Sequence, residues 1–357
     1  MKQHQIADDL QGIYDRWLDD IQLDILLTKR CNLNCIHCFL DERNSEMGMD
    51  TIRKIANDDL FLLHSQIKKR VINFSGGEVL MRKDIGKIFS MFRNLNVSAG
   101  CVSNGFFLTD EIIDILKENH IAISLSLDGV GEVHNFYRRN RDAFERLDKA
   151  IDKLVNRQVP FSVICSVSKI NQEHIGEIIE WCIKKKVRSI RFQVVTPEGN
   201  AKSLQDKGLL LDDSEKQALF ESLLFYSGRY VSDIKITGYG TFKSELREHG
   251  CKFGLRWGKT CHSNSTPWPK SFGIDTNGDI IQMHPYHNNV FWKIGHIDEG
   301  LYNVICRYYA SEKHIMLLNT LCDTYEEILK APEECIFEDL YLERKVAERL
   351  LQMRRGG

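Results

Sequence analysis

Short β-branched runs alternate with charged, amphipathic stretches of helical period from about residue 22 onward, and this restricts the chain most. It is the pattern of a parallel sheet covered by helices. Six runs read as strands: LDILLTKR (23–30), RVINFS (70–75), NVSAGCVS (96–103), HIAISLSLD (120–128), PFSVICSVS (160–168) and RSIRFQVV (188–195). The stretches between them, such as TIRKIANDDLFLLHSQIKK and AFERLDKAIDKLVNRQ, are long enough for right-handed crossovers. The α/β class follows, with a partial (β/α)6 barrel of the TIM type whose chemistry gathers where the strands end.

Outside that core the pattern changes. Residues 1–22 are polar and amphipathic and read as an N-terminal helical extension, unlike a signal peptide. Residues 23–200 carry the βα units. Residues 201–250 read as a helical linker, and residues 251–357 as a small α+β domain that opens with cysteines, histidines and tryptophans. Within it, the turn Thr276-Asn277-Gly278-Asp279, flanked by FGID and IIQM, predicts a β-hairpin. The formal net charge of -2 advertises neither nucleic acid nor a membrane surface as partner. No apolar run is long enough to span a bilayer, so a cytoplasmic location is expected. In a reducing compartment the eleven cysteines divide between buried small hydrophobes and metal ligands.

Spacing makes that division. Cys31-Asn-Leu-Asn-Cys35-Ile-His-Cys38 follows the first strand, where three thiolates on one loop can serve a metal centre. Three ligands fall short of the four that structural zinc takes, whereas a cubane iron-sulfur cluster held at three irons keeps its fourth open. His37 is available to close a zinc site, so both readings stand on this motif alone. At the end of the second strand lies Gly76-Gly77-Glu78. Adjacent glycines let backbone approach a ligand closely, and the Glu78 carboxylate can accept hydrogen bonds from an ammonium group, although a Gly-Gly pair there is often just a turn. Cys101, Cys165 and Cys182 sit in strands or an amphipathic helix and read as buried small residues, and Cys306 is similar.

Together the C-x3-C-x2-C loop and the GGE motif resemble the radical S-adenosylmethionine (SAM) superfamily, in the same order and spacing scale. The likeness continues through Ser103-Asn104-Gly105, Ser124-Leu-Ser126-Leu-Asp128-Gly129 and His134 to Arg138; the run from SLSLDG through HNFYRR to AFERL is similar to the SPASM/twitch branch. The resemblance implies a [4Fe-4S] cluster on Cys31, Cys35 and Cys38 that binds SAM, cleaves it on reduction and yields a 5'-deoxyadenosyl radical that abstracts hydrogen from a substrate. It places Gly76, Gly77 and Glu78 at the methionine amino group, Ser126 and Arg138 near the ribose and carboxylate, and the backbone of His37 at the adenine. Ser103, Asn104 and Gln193 become pocket candidates.

The C-terminal third resembles a SPASM or twitch domain with a departure. Where the hairpin's outgoing strand usually ends in a ligand cysteine, this chain has Met283 and His284. An auxiliary cluster would draw on Cys251, Cys261, His284 or His287, and Cys322 or Cys335; the alternative is a degenerate, metal-free domain. The expected substrate is a ribosomally made peptide, with a flavodoxin or ferredoxin as electron donor. The alternative is epimerisation or dehydrogenation of a sugar or other small metabolite, and an alternative of another class is a non-catalytic metal-binding module. A sulfatase-type maturase is disfavoured, because such relatives carry the full set of late cysteines.

Overall fold

A computed structural model describes residues 20–62, 69–238, 241–242, 271–282, 293–314, 330 and 335–336. The strands are β1 (Asp20–Thr28), β2 (Lys69–Gly76), β3 (Ser98–Ser103), β4 (Ala122–Ser126), β5 (Phe161–Val167), β6 (Ser189–Val194), β7 (Lys235–Gly238), β8 (Thr241–Phe242), β9 (Ser271–Ile274), β10 (Asp279–Gln282), β11 (Lys293–His296) and β12 (Cys335–Ile336). The helices used below are α1 (Met49–Ala56), α2 (Asp59–Leu62), α3 (Ile85–Phe92), α4 (Asp110–Glu118), α5 (Glu132–Arg138), α6 (Ala143–Asn156), α7 (Ile175–Lys184), α8 (Lys202–Asp206), α9 (Asp213–Arg229) and α10 (Leu301–Tyr309).

The chain divides into two compact units, one of residues 25–49 and 72–239 and the other of residues 1–24, 50–71 and 240–357. In the first, the strand order is β1-β2-β3-β4-β5-β6-β7, and β3 through β7 pair in parallel. All six expected strands are present to within a few residues at each end. β7 is a seventh, and the sequence reading has that stretch as helical linker. Its short KITG run has little periodicity of its own, and pairing of Ser189 through Phe192 with Lys235 through Gly238 makes it a strand.

Helices cover this sheet because their apolar residues recur at helical spacing. Ala143, Leu147, Ala150, Ile151 and Leu154 form the buried stripe of α6, and Ile175, Ile178, Ile179 and Cys182 that of α7. Phe74 of β2 meets Phe89 and Phe92 of α3 with ring centroids 5.2 Å apart in both pairs. Cys101, Cys165 and Cys182 are buried in this core, and burial raises all three thiol pKa values.

In the second unit β9, β10 and β11 form an antiparallel meander. The expected hairpin is there. Asp275 accepts from the amides of Asn277 (2.9 Å) and Asp279 (3.0 Å), and Gly278 takes the left-handed φ of +91° that closes the turn. The stretch expected as one helix from Thr51 is broken between α1 and α2. Asp58 accounts for the break: its carboxylate accepts from Leu60 N at 3.0 Å and also caps α10 through Leu301 N (2.6 Å) and Tyr302 N (3.1 Å). No described helix is long and apolar enough to cross a membrane.

Candidate active site

The three cysteines of the motif lie on a loop whose base is closed on both sides. A bridge pairs Thr28 with Glu46, Lys29 N donates to Ser45 O at 2.8 Å, and Met47 N donates to Leu27 O at 2.9 Å. Buried Arg82 braces this base by donating from Nη1 to the carbonyls of Leu27 (2.9 Å) and Met47 (2.8 Å). The loop's middle is anchored by Ile36, whose side chain joins Tyr137, Val195, Ala201 and Leu204 in a small apolar cluster. Burial of an isoleucine contributes about 1.5–3 kcal/mol, so the residue between Cys35 and His37 fixes the loop from inside.

The Gly-Gly turn presses against the start of this loop. Gly77 N donates to Thr28 O at 2.8 Å and Glu78 N to Arg30 O at 2.9 Å. A Cβ on Gly76 would lie 2.0 Å from Thr28 O, and one on Gly77 would lie 2.3 Å from Arg30 O and 2.9 Å from the Cys31 Cβ. Only glycine permits that approach. The amides of Gly77 and Glu78 are thereby used within the protein.

Glu78 itself is turned inward and fully buried. Its Oε1 accepts from Ser103 Oγ (2.9 Å) and Leu80 N (3.1 Å), and its Oε2 from Asn104 N (2.7 Å). Burial raises the pKa of this carboxyl, and the three hydrogen bonds oppose the rise. Glu78 thus ties the end of β2 to the end of β3, and Asn104 carries the tie onward: its Nδ2 donates to Asn32 Oδ1 at 2.9 Å and lies 3.9 Å from Cys31 Sγ.

On the other side of the loop stands a buried charge pair. Arg138, the last residue of α5, places Nη2 2.7 Å from Asp128 Oδ2 and Nη1 3.6 Å from Cys35 Sγ. Burial raises the Asp128 pKa, but Arg138, with His37 and His134, outweighs it and holds the carboxyl below the ordinary range. Asp128 is fixed in turn by Ser166 N on Oδ1 (3.1 Å), and its own amide donates to His134 Nδ1 at 3.1 Å. Asn171 extends the network, donating from Nδ2 to Asp128 O at 2.8 Å and accepting at Oδ1 from Tyr137 OH at 2.8 Å.

His37, 11% exposed, points to this pair, with Nε2 3.8 Å from Asp128 Oδ2 and its ring centroid 5.2 Å from that of Tyr137. Burial pushes the imidazole down to about 4, and Nδ1 has no partner among the described residues. A further brace comes from beyond β6. Asn200 donates from Nδ2 to Cys35 O (2.8 Å) and Asn34 Oδ1 (2.9 Å), and from its amide to Cys38 O (2.7 Å). Gly199, at φ +53°, passes so close that a Cβ would lie 2.3 Å from Cys38 O.

Of the remaining candidates, Ser126 and Gln193 lie at the C-terminal ends of β4 and β6, half-buried, and Gln193 Nε2 donates to Ser166 Oγ at 3.1 Å. The structure therefore brings Cys31, Cys35, Cys38, His37, Gly77, Glu78, Ser103, Asn104 and Arg138 into one bonded neighbourhood. Cys251, Cys261, His284, His287 and Cys322 lie outside the described residues, and Cys335 is described only in its backbone, paired with Phe242. Sequence reasoning missed Asn171, Asn200 and the role of Asp128; the aspartate of SLSLDG was the one available signal.

These residues suit an iron-sulfur cluster. Two of the three thiols have donors aimed at sulfur: Leu33 N lies 3.4 Å from Cys31 Sγ, and Arg138 Nη1 lies 3.6 Å from Cys35 Sγ. Burial pushes the Cys31 thiol up to about 11 and raises that of Cys35, so their thiolates call for the positive charge of a metal centre. Residues 25–182 match the radical SAM superfamily.

The chain carries a radical SAM domain. Proteins of this superfamily use a [4Fe-4S] cluster and SAM. The chain is 30% identical over 220 residues to the AdoMet-dependent heme synthase of Methanosarcina barkeri, a match covering 59% of either protein. It is 24% identical over 181 residues to the cysteine-type anaerobic sulfatase-maturating enzyme of Clostridium perfringens, covering 45% of this chain and 48% of the relative. The chain thus spans about half to three fifths of the length of these curated relatives. In fold, it is similar to the solved structure of anSMEcpe with bound AdoMet and the Cp18Cys peptide, with a TM-score of 0.67 at 17% identity, covering 94% of this chain and 99% of that one. That likeness places the radical SAM domain on a TIM-type partial barrel.

Proposed function

We propose that this chain is a radical SAM enzyme that holds a [4Fe-4S] cluster on Cys31, Cys35 and Cys38 and removes hydrogen from a peptide in a maturation pathway. When bound, the cluster and SAM supply reductive cleavage and a 5'-deoxyadenosyl radical. The chain supplies the rest. The bracing of the cysteine loop by Gly76-Gly77 on one side and Arg138 on the other carries this reading, because both make sense for a loop that must hold three thiolates still. The turn's amides are spent on Thr28 and Arg30, so what it offers the SAM amino group is carbonyl oxygen. Arg138, at the Cys35 side of the loop, stands where the resemblance places the SAM carboxylate. Ser126 and Gln193 lie at the C-terminal ends of β4 and β6, with β5 between them, on the strand-end side where the ribose and the pocket are expected.

The peptide reading is supported by the sulfatase-maturating relative and by a fold neighbour solved with a peptide. A second reading, a small-metabolite substrate, is favoured by the higher identity to a protein named for heme synthesis. Under either reading a flavodoxin or ferredoxin would deliver the electron, in the cytoplasm, and the residues beyond 250 would form the SPASM/twitch-like part.

The test is anaerobic reconstitution of the unmodified protein and of a variant with Cys31, Cys35 and Cys38 all changed to Ala. Iron, sulfide and 5'-deoxyadenosine formed from SAM with a chemical reductant would be measured. The expected result is about four irons per cluster in the unmodified protein, with SAM cleavage, and no cleavage by the variant. Iron retained by the variant would reveal an auxiliary centre. SAM cleavage by the variant, or no iron uptake by the unmodified protein, would overturn the assignment.

A further inference from the structure

Asp128 and Arg138 form a buried charge pair at the cysteine loop. A carboxylate with 0% exposure and a guanidinium with 7% stand together beside one of the three thiols, and isolated buried charges of that kind are costly unless paired. Arg138 divides its two terminal nitrogens between unlike partners, Nη2 toward Asp128 at 2.7 Å and Nη1 toward Cys35 Sγ at 3.6 Å. Asp128 cannot follow the arginine if it moves, because Ser166 N, His134 Nδ1 and Asn171 Nδ2 hold its carboxylate and its backbone. The guanidinium is therefore locked in orientation with one edge on sulfur. Among the described residues the donors at the Cys31 sulfur are neutral, the Leu33 amide and the Asn104 side-chain amide.

We propose that Arg138 is a positioning residue that sets the reduction potential of the cluster through the Cys35 sulfur, and that Asp128 moderates it. This rests on the cluster at Cys31, Cys35 and Cys38 proposed above. The physics is that of a charged outer-shell hydrogen bond at a metal thiolate. A positive group at the sulfur stabilises the form with the extra electron, and hydrogen bonds to cluster sulfurs are a main lever on potential. Arg138 raises the potential. Asp128, on the far side of the guanidinium, partly cancels its charge and so lowers the potential from the value an unpaired arginine would give. Arg138 touches the Cys35 sulfur directly at 3.6 Å, whereas Asp128 reaches it only through the other terminal nitrogen of the guanidinium, so the pair as a whole is an electron-stabilising device.

The opposite signs give the test. Midpoint potentials of the reconstituted cluster would be measured, without SAM, by redox titration followed by electron paramagnetic resonance, in the unmodified protein and in Arg138→Gln, Asp128→Asn and the double variant. Arg138→Gln should lower the equilibrium constant for one-electron reduction at least tenfold, which is about 59 mV. Asp128→Asn should shift it in the other direction. The double variant removes both charges and leaves no orphan, so it remains informative if a single variant fails to fold; its potential should lie below that of the unmodified protein. A merely structural role would move both singles the same way or change cluster content without moving potential. Singles that shift together, or a double variant that titrates with the unmodified protein, would sink the inference while leaving the enzyme assignment intact. An unmodified protein that takes up no iron would instead remove the assignment, and this inference with it.

Discussion

Cys31 and Cys35 share one short loop, yet they are held by different kinds of force. At Cys31 the partners are neutral and mostly backbone: the Gly76-Gly77 turn packs against Thr28 and Arg30, and Asn104 reaches over from β3. At Cys35 the partners of the sulfur side are charged and desolvated, Arg138 and Asp128, and the half-buried neutral amide of Asn200 holds the Cys35 carbonyl. Contact geometry that tolerates no added atom fixes position, whereas a charge in a dry site fixes position and electronic environment together. The two ends should therefore fail differently when broken.

The largest effect on folding is expected at the charged end. Arg138→Met leaves Asp128 buried without its cation, and removal of one member of a buried pair costs about 3–5 kcal/mol. Chemical denaturation of the cluster-free protein would read this directly. Because the comparison excludes the cluster, a loss of less than about 1 kcal/mol would mean that water or a neighbour replaces the guanidinium, and the contrast between the ends would weaken.

Next comes the neutral end. Gly77→Ala places a methyl group against a carbonyl and against the Cys31 Cβ, and both belong to the loop that must give way. Overpacking of this sort costs about 1–3 kcal/mol, less than the broken charge pair. Its effect on cluster uptake should be the greater of the two, since it moves Cys31 itself. Iron and sulfide content after reconstitution would check this. Stability lost without cluster lost would show that the turn supports the fold and not the ligand.

Much of this contrast could not be read from sequence, and the reason is distance along the chain. The strands were legible because β-branched runs between amphipathic stretches carry their own period, and the cysteine and glycine motifs because their residues are adjacent. The contacts that explain those motifs are not local. Arg138 meets Cys35 across 103 residues, and Asn200 meets it across 165. Nothing in YRRNR distinguishes the arginine that is buried from its neighbours that are solvated, and only the register of β4 beside β5, which brings Ser166 N to Asp128, selects it. Glu78 shows the converse. Its place in the motif was plain, but a carboxylate beside two glycines gives no sign that its oxygens are taken by Ser103, Leu80 and Asn104.

The smallest effect separates the two kinds of force at one residue. Asn200→Ala keeps the amide bond to Cys38 O but removes both side-chain bonds, a loss of about 0.5–1.5 kcal/mol per hydrogen bond. Asn200→Asp keeps the shape but faces two acceptors, Cys35 O and Asn34 Oδ1, with a carboxylate in place of a donor. If the underside of Cys35 is held by electrostatics, Asp should be worse than Ala, both in denaturation midpoint and in the rate at which a chelator strips iron from the reconstituted protein. If it is held by packing alone, Asp should behave like the unmodified residue and Ala should be the worse, which would make this end of the loop no different in kind from the other.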